Sequence, residues 1–188
     1  MKLSVLLASA ALLATPLAAN ALVYQFNATI NGASEVPASA ATGTGVATLF
    51  YDDMGTPATT AGDTYSFSLA AFGLSGVATG FHIHAPAAVG VNAGVVVNLN
   101  AAPFQSFNFG GTLLVGGAGV APPNATFLID LLAHNAYVNI HTAAKPGGEI
   151  RGQLLQVAVV PEPSSYALML AGLGMVGVLA RRRSSAKR

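Results

Sequence analysis

The sequence predicts a mainly β domain, a sandwich or Greek-key barrel of about eight short strands with one short helix, carried between two apolar terminal segments. Three observations predict it. Apolar and polar residues alternate with a period of two along most of the body, the pattern of strands with one buried face. Clusters of Gly, Pro, Asn and Asp interrupt these runs at short intervals. Only one stretch carries a helical period instead.

Taken in order, the chain opens with Lys2, an apolar run from Leu3 to Leu17, and Ala19-Asn20-Ala21, which fits the small-x-small rule for signal peptidase. Residues 1–21 therefore read as a signal peptide, with cleavage after Ala21 and a mature body starting at Leu22. In Leu22–Ile30, Tyr24, Phe26, Ala28 and Ile30 fall on one face. In Thr64–Phe72, Tyr65, Phe67 and Leu69 alternate with Thr64, Ser66 and Ser68. Comparable runs are Gly45–Tyr51, Thr79–His84, Gly94–Leu99, Phe104–Leu114, Ala136–His141 and Glu149–Val157. Lys145-Pro146-Gly147-Gly148 offers Pro and Gly where a type II turn requires them. Ala125–His134 places Phe127, Leu128, Leu131 and Leu132 at helical spacing, with Asn124 as its cap and His134 at its C-terminus, where the helix dipole favours it.

Composition narrows the function. The body keeps Lys145 and Arg151 against Glu35, Asp52, Asp53, Asp63, Asp130 and Glu149, a net charge of −4 although the whole chain is +1. A mildly acidic body without a basic patch argues against nucleic acid as a partner. The chain has no cysteine, so stability must come from packing or a bound ion. Tryptophan is absent, so contact with carbohydrate would rely on Tyr or Phe. Two Asn-x-Thr sequons, at Asn27 and Asn124, are read as chance.

The tail has three parts: Pro161-Glu162-Pro163, an apolar run from Tyr166 to Ala180, and Arg181-Arg182-Arg183. As a helix the run spans about 22 Å at 1.5 Å per residue, short of the ~30 Å hydrocarbon core. The arginines would act as a membrane stop on the cytoplasmic side. The layout resembles the PEP-CTERM sorting signal of exopolysaccharide-producing Gram-negative bacteria. That resemblance implies a partner, a membrane transpeptidase of the exosortase type, and a destination at the cell surface or in the extracellular matrix. It also implies transient anchoring in the inner membrane.

Five ordered blocks carry a second resemblance: Asn31–Pro37, Gly43-Thr44-Gly45, His82-Ile83-His84-Ala85-Pro86, Tyr137–Thr142 and Pro146–Gln153. They resemble the CHRD domain, named after chordin, over roughly Tyr24 to Gln156. The resemblance implies an extracellular β-barrel or sandwich of immunoglobulin-like character, without an enzymatic activity established for the class. The chain then divides into a signal peptide (1–21), a CHRD domain (22–157) and a sorting signal (158–188) whose hydrophobic helix covers 166–180. Extracellular polysaccharide or a surface protein is the expected binding partner.

His82 and His84 share one face of their strand while Phe81 and Ile83 take the other. His141 shares a face with Tyr137 and Asn139, opposite Val138 and Ile140. If the strands are neighbours, the three imidazoles converge outside the core, and such a set suits one Cu(II) or Zn(II) ion with a position open to water. The plainer reading makes them polar surface residues bonded to backbone or to one another. Gly80–His84 is also similar to the copper-ligand strand of Cu,Zn superoxide dismutases. The following stretch, Ala85–Gly94, contains no His, Asp or Glu, so a dinuclear site cannot be built from it.

Other chemistry finds little support. Asp52-Asp53 reads as a solvated turn, since two carboxylates fall short of the six to eight oxygens calcium takes. Glu149 and Arg151 share a strand face and are expected to pair. No nucleophile elbow, phosphate loop or zincin motif is present. The sequence therefore predicts a non-catalytic surface or matrix module, the alternative being a mononuclear metal protein remotely similar to superoxide dismutase.

Overall fold

A computed structural model describes residues 21–56, 59–157 and 169–176. The leader up to residue 20, the sorting residues Pro161, Glu162 and Pro163, and the stop residues Arg181, Arg182 and Arg183 lie outside them. In chain order the elements are β1 (Val23–Asn31), a 3-10 turn (Gly32–Ser34), β2 (Thr44–Asp52), β3 (Thr64–Phe72), β4 (Ala78–His84), β5 (Val95–Asn98) and β6 (Gln105–Phe109). They continue with β7 (Thr112–Val120), α1 (Phe127–Leu132), β8 (Tyr137–Thr142), β9 (Lys145–Gln153) and β10 (Leu155–Gln156). Residues 169–176 are helical. Among the described residues no helix is long and apolar enough to cross a membrane.

The strands form one curled antiparallel sheet in the order β5-β4-β8-β9-β1-β2-β3-β7-β6, with β10 paired to β1. The mainly β expectation holds, with ten strands in place of about eight. Two predicted runs each divide. Phe104–Leu114 becomes the β6–β7 hairpin, because Gly110 and Gly111 both take positive φ (57° and 82°), the pair of conformations a two-residue type I′ turn requires. Glu149–Val157 becomes β9 and β10, separated at Leu154. The expected turn at Lys145–Gly148 moves: the chain reverses at Ala143–Ala144, and Pro146 to Gly148 lie within β9.

Alternation places the core where the sequence put it. Phe26, Ala28, Ile30, Ala47, Leu49, Tyr51, Phe67 and Leu69 face one continuous apolar interior. The helix is shorter than its pattern and sends Phe127 and Leu131 into that interior, the Phe127 ring 5.4 Å from Tyr65 and 6.5 Å from Tyr51. Asn124 is not the immediate cap. Its Oδ1 accepts from the N–H and hydroxyl of Thr126, ahead of the first helical residue. His134 does end the helix, in the left-handed conformation (φ 58°) that usually belongs to Gly. The His134 N–H reaches the Leu131 carbonyl and the Asn135 N–H that of Asp130, the two bonds of a Schellman motif.

The two ends of the sheet meet through a side chain. On β6, Asn108 accepts from the Ala78 N–H at 3.0 Å and donates to the Ala78 carbonyl at 2.8 Å, at the start of β4. One carboxamide thus imitates a peptide group across the seam.

Removing the Phe127 ring should leave a cavity against Tyr51 and Tyr65. Phe127→Ala is expected to lower the unfolding free energy by about 3–5 kcal/mol, read as a lower denaturant midpoint. A loss under about 1 kcal/mol would contradict this packing.

Candidate metal centre

The site stands on the outer face of three neighbouring strands. β4 buries Phe81 and Ile83 in the core, so strand alternation turns Gly80, His82 and His84 outward. β8 buries Val138 and Ile140 and turns Tyr137, Asn139 and His141 outward. The register pairs His84 with Tyr137, His82 with Asn139 and Gly80 with His141. On the other side of β8, Arg151 of β9 lies opposite Asn139. One ring nitrogen from each of His82, His84 and His141 then lies within 4.8 Å of the other two. The three sequence-predicted ligands are together.

Outward does not mean exposed. His84 is 8 % exposed, Asn139 5 % and Arg151 1 %. The segment after β4 and the turn after β1 cover them. Arg151 donates from Nη1 to Asn92 Oδ1 at 2.9 Å and from Nη2 to the Val91 carbonyl at 2.7 Å. Asn92 donates in turn to the Val36 carbonyl at 3.0 Å, and the Ala93 N–H to the Tyr137 hydroxyl at 3.2 Å. The His84 and Tyr137 rings stack at 4.7 Å with 1° between their planes. The Arg151 guanidinium carbon lies 3.4 Å from the Tyr137 ring centre. β4 and β9 flank β8 on opposite sides, so Tyr137 is sandwiched between the two.

Hydrogen bonding orients the imidazoles. His84 Nδ1 lies 2.9 Å from the Ala93 carbonyl and His141 Nδ1 3.0 Å from that of Pro146. A carbonyl only accepts, so in each ring Nδ1 carries the proton and Nε2 keeps its lone pair. Histidines that ligate a metal commonly donate their other ring N–H to a carbonyl in this way, and the bonds also satisfy the plainer expectation of bonding to backbone. The remainder is not satisfied: His84 Nε2 and His82 Nδ1 are buried without a hydrogen-bond partner. An orphaned buried acceptor costs about 1–3 kcal/mol. Burial pushes the pKa of His82 down, helped by His141 and His84. Burial also lowers that of His84, helped by His141 and Arg151 and opposed by the bond to Ala93. Both rings are therefore kept in the neutral form that a metal requires.

Gly80 leaves room for the His82 ring. A Cβ there would lie 3.0 Å from His82 Cε1, crowding that ring, and in ordinary contact at 3.5 Å with His141 Cδ2. With donors this close, shifts of about an ångström or less bring all three to ~2.0–2.1 Å from one ion.

Several site residues were not found as such in the sequence. The Asn139 amide donates to Glu35 Oε2 at 3.2 Å, while Asn139 Oδ1 and Glu35 Oε1 are buried without partners. Burial raises the Glu35 pKa, against the opposing influence of Arg151 and Asn139. The expected Glu149–Arg151 pair does not form. Glu149 accepts instead from the Ser75 N–H at 2.7 Å, the Ser75 hydroxyl at 2.6 Å and the Thr142 hydroxyl. Burial would raise the Glu149 carboxyl, but these bonds outweigh it and hold the group below the usual range. The solvated-turn reading applies to Asp52, whose Oδ1 accepts from Met54, and fails for Asp53, which is buried. Arg151 and Glu149 lie on the same face of β9 and take partners from distant loops (Val91, Asn92 and Ser75) as well as from the neighbouring β8, so no spacing announces them.

Without metal, the depressed pKa values of His82 and His84 have a consequence with a definite sign. The unfolded chain binds their protons near pH 6.5, the fold only lower, so their contribution is present above about 6.5 and is lost as pH falls through the folded values. Glu35, raised, runs the other way: its contribution is present below about 4.5 and lost as pH rises. With chelator present, the denaturant midpoint should drop between pH 7.5 and 5, and His82→Gln/His84→Gln should flatten that drop. An unchanged slope in the double variant would show that these rings are not the groups responsible.

Comparison with known proteins agrees with this architecture. The CHRD domain family matches residues 26–154, and the PEP-CTERM protein-sorting motif matches residues 159–183. Neither a curated protein nor a solved structure matched. The sorting motif together with the domain marks an exported protein sorted by an exosortase. With more than half its length matched, and with the five sequence blocks distributed over a single β body, the chain belongs to the CHRD domain family.

Proposed function

We propose that this protein is a non-catalytic surface or matrix module whose CHRD body holds one Cu(II) or Zn(II) ion through His82, His84 and His141. The observation that carries the metal is the convergence of three ring nitrogens within 4.8 Å, two of the rings fixed through Nδ1 to backbone carbonyls. Imidazole is a ligand that both metals favour, and a coordination position left to water or a partner's side chain suits either. A binding role is favoured over dismutation because Ala85–Gly94 contributes no His, Asp or Glu for a second metal. Its partners are extracellular polysaccharide or a surface protein, and its contact with the inner membrane, through the apolar tail, is transient.

Elemental analysis of purified protein, dialysed against excess Cu(II) or Zn(II) and then buffer, should give one equivalent of metal. His82→Ala/His84→Ala should reduce it to background. At 100 times Kd the metal should add about 2.7 kcal/mol to the unfolding free energy. A metal-free wild type whose melting temperature ignores both ions would end the metal reading.

For the tail, mass spectrometry of surface material should find no peptide covering Arg181 to Arg188. Recovery of that peptide intact would mean that the tail is kept as an anchor.

A further inference from the structure

At the end of β2, Asp53 is a carboxylate only 2 % exposed. Its Oδ1 accepts from the backbone nitrogen of Leu22 at 2.8 Å and from that of Gly55 at 2.9 Å. The Asp53 N–H is given back to the Leu22 carbonyl at 3.1 Å. Leu22 is thus gripped through both its backbone groups, although the residue itself is 45 % exposed. The surroundings are rich in buried negative charge. Asp63, 3 % exposed, accepts the Tyr51 hydroxyl at 2.7 Å and leaves Oδ1 without a partner. Burial raises the Tyr51 hydroxyl pKa, with Asp63 and then Asp53 adding to the effect, and Asp53 also raises that of Tyr24 after burial has done so. The body's two side-chain cations, Lys145 and Arg151, both belong to β9, and Arg151 is engaged by Asn92 and Val91. A buried carboxylate without a cation is a destabilising element unless one is supplied.

We propose that Asp53 is the binding seat for the α-ammonium group released when the leader is cut after Ala21. The proposal rests on the export reading. Before the cut the nitrogen of Leu22 is a peptide N–H, neutral, with one proton to give. Hydrolysis by signal peptidase breaks the Ala21–Leu22 peptide bond. The hydroxyl of water goes to the Ala21 carbonyl carbon, and its proton to the Leu22 nitrogen, which takes a further proton from solvent. The resulting –NH₃⁺ stands where the donor already stands, 2.8 Å from Asp53 Oδ1, and a hydrogen bond charged only on the acceptor side becomes an ion pair. Position matters, because a cut one residue to either side moves the amine by about 3.3 Å along an extended chain. The ligand of this seat is therefore the chain's own new terminus, and the processed body is more stable than its precursor.

The test compares two forms of the chain in detergent micelles with chelator present: one running from Leu22 to Arg188 with a free amine, the other keeping Ala19-Asn20-Ala21 ahead of it. Near pH 7 the free-amine form should melt higher by about 3 °C or more. A raised amine pKa gives stability that is present below the ordinary value of about 8 and is lost as pH rises through the folded value, so the gap should close in alkali. It should also vanish in Asp53→Asn. If that variant does not fold, ¹³C-dimethylation of the wild-type amine gives its pKa by NMR. A value above about 8 supports the seat, and one at or below it overturns the seat. Equal melting of the two forms near pH 7 overturns it as well. N-terminal sequencing of exported protein reads the processing separately. A start other than Leu22 overturns the natural role of Asp53, and a chain retained in the cell with its leader overturns the export reading, while neither changes the melting comparison.

Discussion

Tyr137 carries the imidazole of His84 on one face of its ring and the guanidinium of Arg151 on the other, and the polar layer outside β4, β8 and β9 depends on that stack. The magnitudes say what else it needs. A cation over an aromatic ring contributes about 0.5–2 kcal/mol, while taking a guanidinium out of water costs several. The balance comes from Asn92 and the Val91 carbonyl, which bond the same guanidinium. Arg151 therefore fixes the segment after β4, the segment supplies the Ala93 carbonyl, and that carbonyl sets the tautomer of His84. The order of dependence runs from one buried charge to one lone pair.

This gives the domain two interiors of different kinds. Inside the curl the interior is apolar and ordinary for a β domain of this size. Outside β4, β8 and β9 it is polar, and its members are satisfied only in part. Buried polar groups without partners are rare in folded proteins because each costs free energy. Among the described residues the unpartnered atoms belong to Glu35, His82, His84 and Asn139, near or within the histidine cluster, and to Asp63 at the base of β3. Lacking disulfides, the chain holds these covering loops by hydrogen bonds, the Ala87 N–H to the Asn135 carbonyl and Asn92 to the Val36 carbonyl among them.

Much of this was legible in the residues. Strand parity alone turned His82, His84 and His141 to the face opposite Phe81, Ile83, Val138 and Ile140, because alternation is a local property of the extended chain. Adjacency of their strands was not local, and neither was the cover over them. A strand residue facing away from the core reads as solvated, yet Arg151 and Asn139 are buried by loops that close over them from far along the chain. The turn at Ala143–Ala144 was missed because Pro and Gly two residues later fit a turn equally well, and the register of β8 against β9 decided between them. The same competition placed Asp53 in solvent, although the chain entering β1 lies directly over it.

The seam at Asn108 carries a consequence of its own. A ladder of peptide groups between strands is chemically inert, whereas a carboxamide can deamidate. If Asn108 lost ammonia, the nitrogen that donates to the Ala78 carbonyl would be replaced by a carboxylate oxygen facing it, while the bond from the Ala78 N–H would survive. Attraction would become repulsion at the line where β6 meets β4, with the strand ladders themselves left intact. Slow ageing chemistry at a single residue would thus weaken the contact between the start of β4 and β6, beside the bond from the Leu74 N–H to the Gly111 carbonyl, a liability that the apolar core does not share.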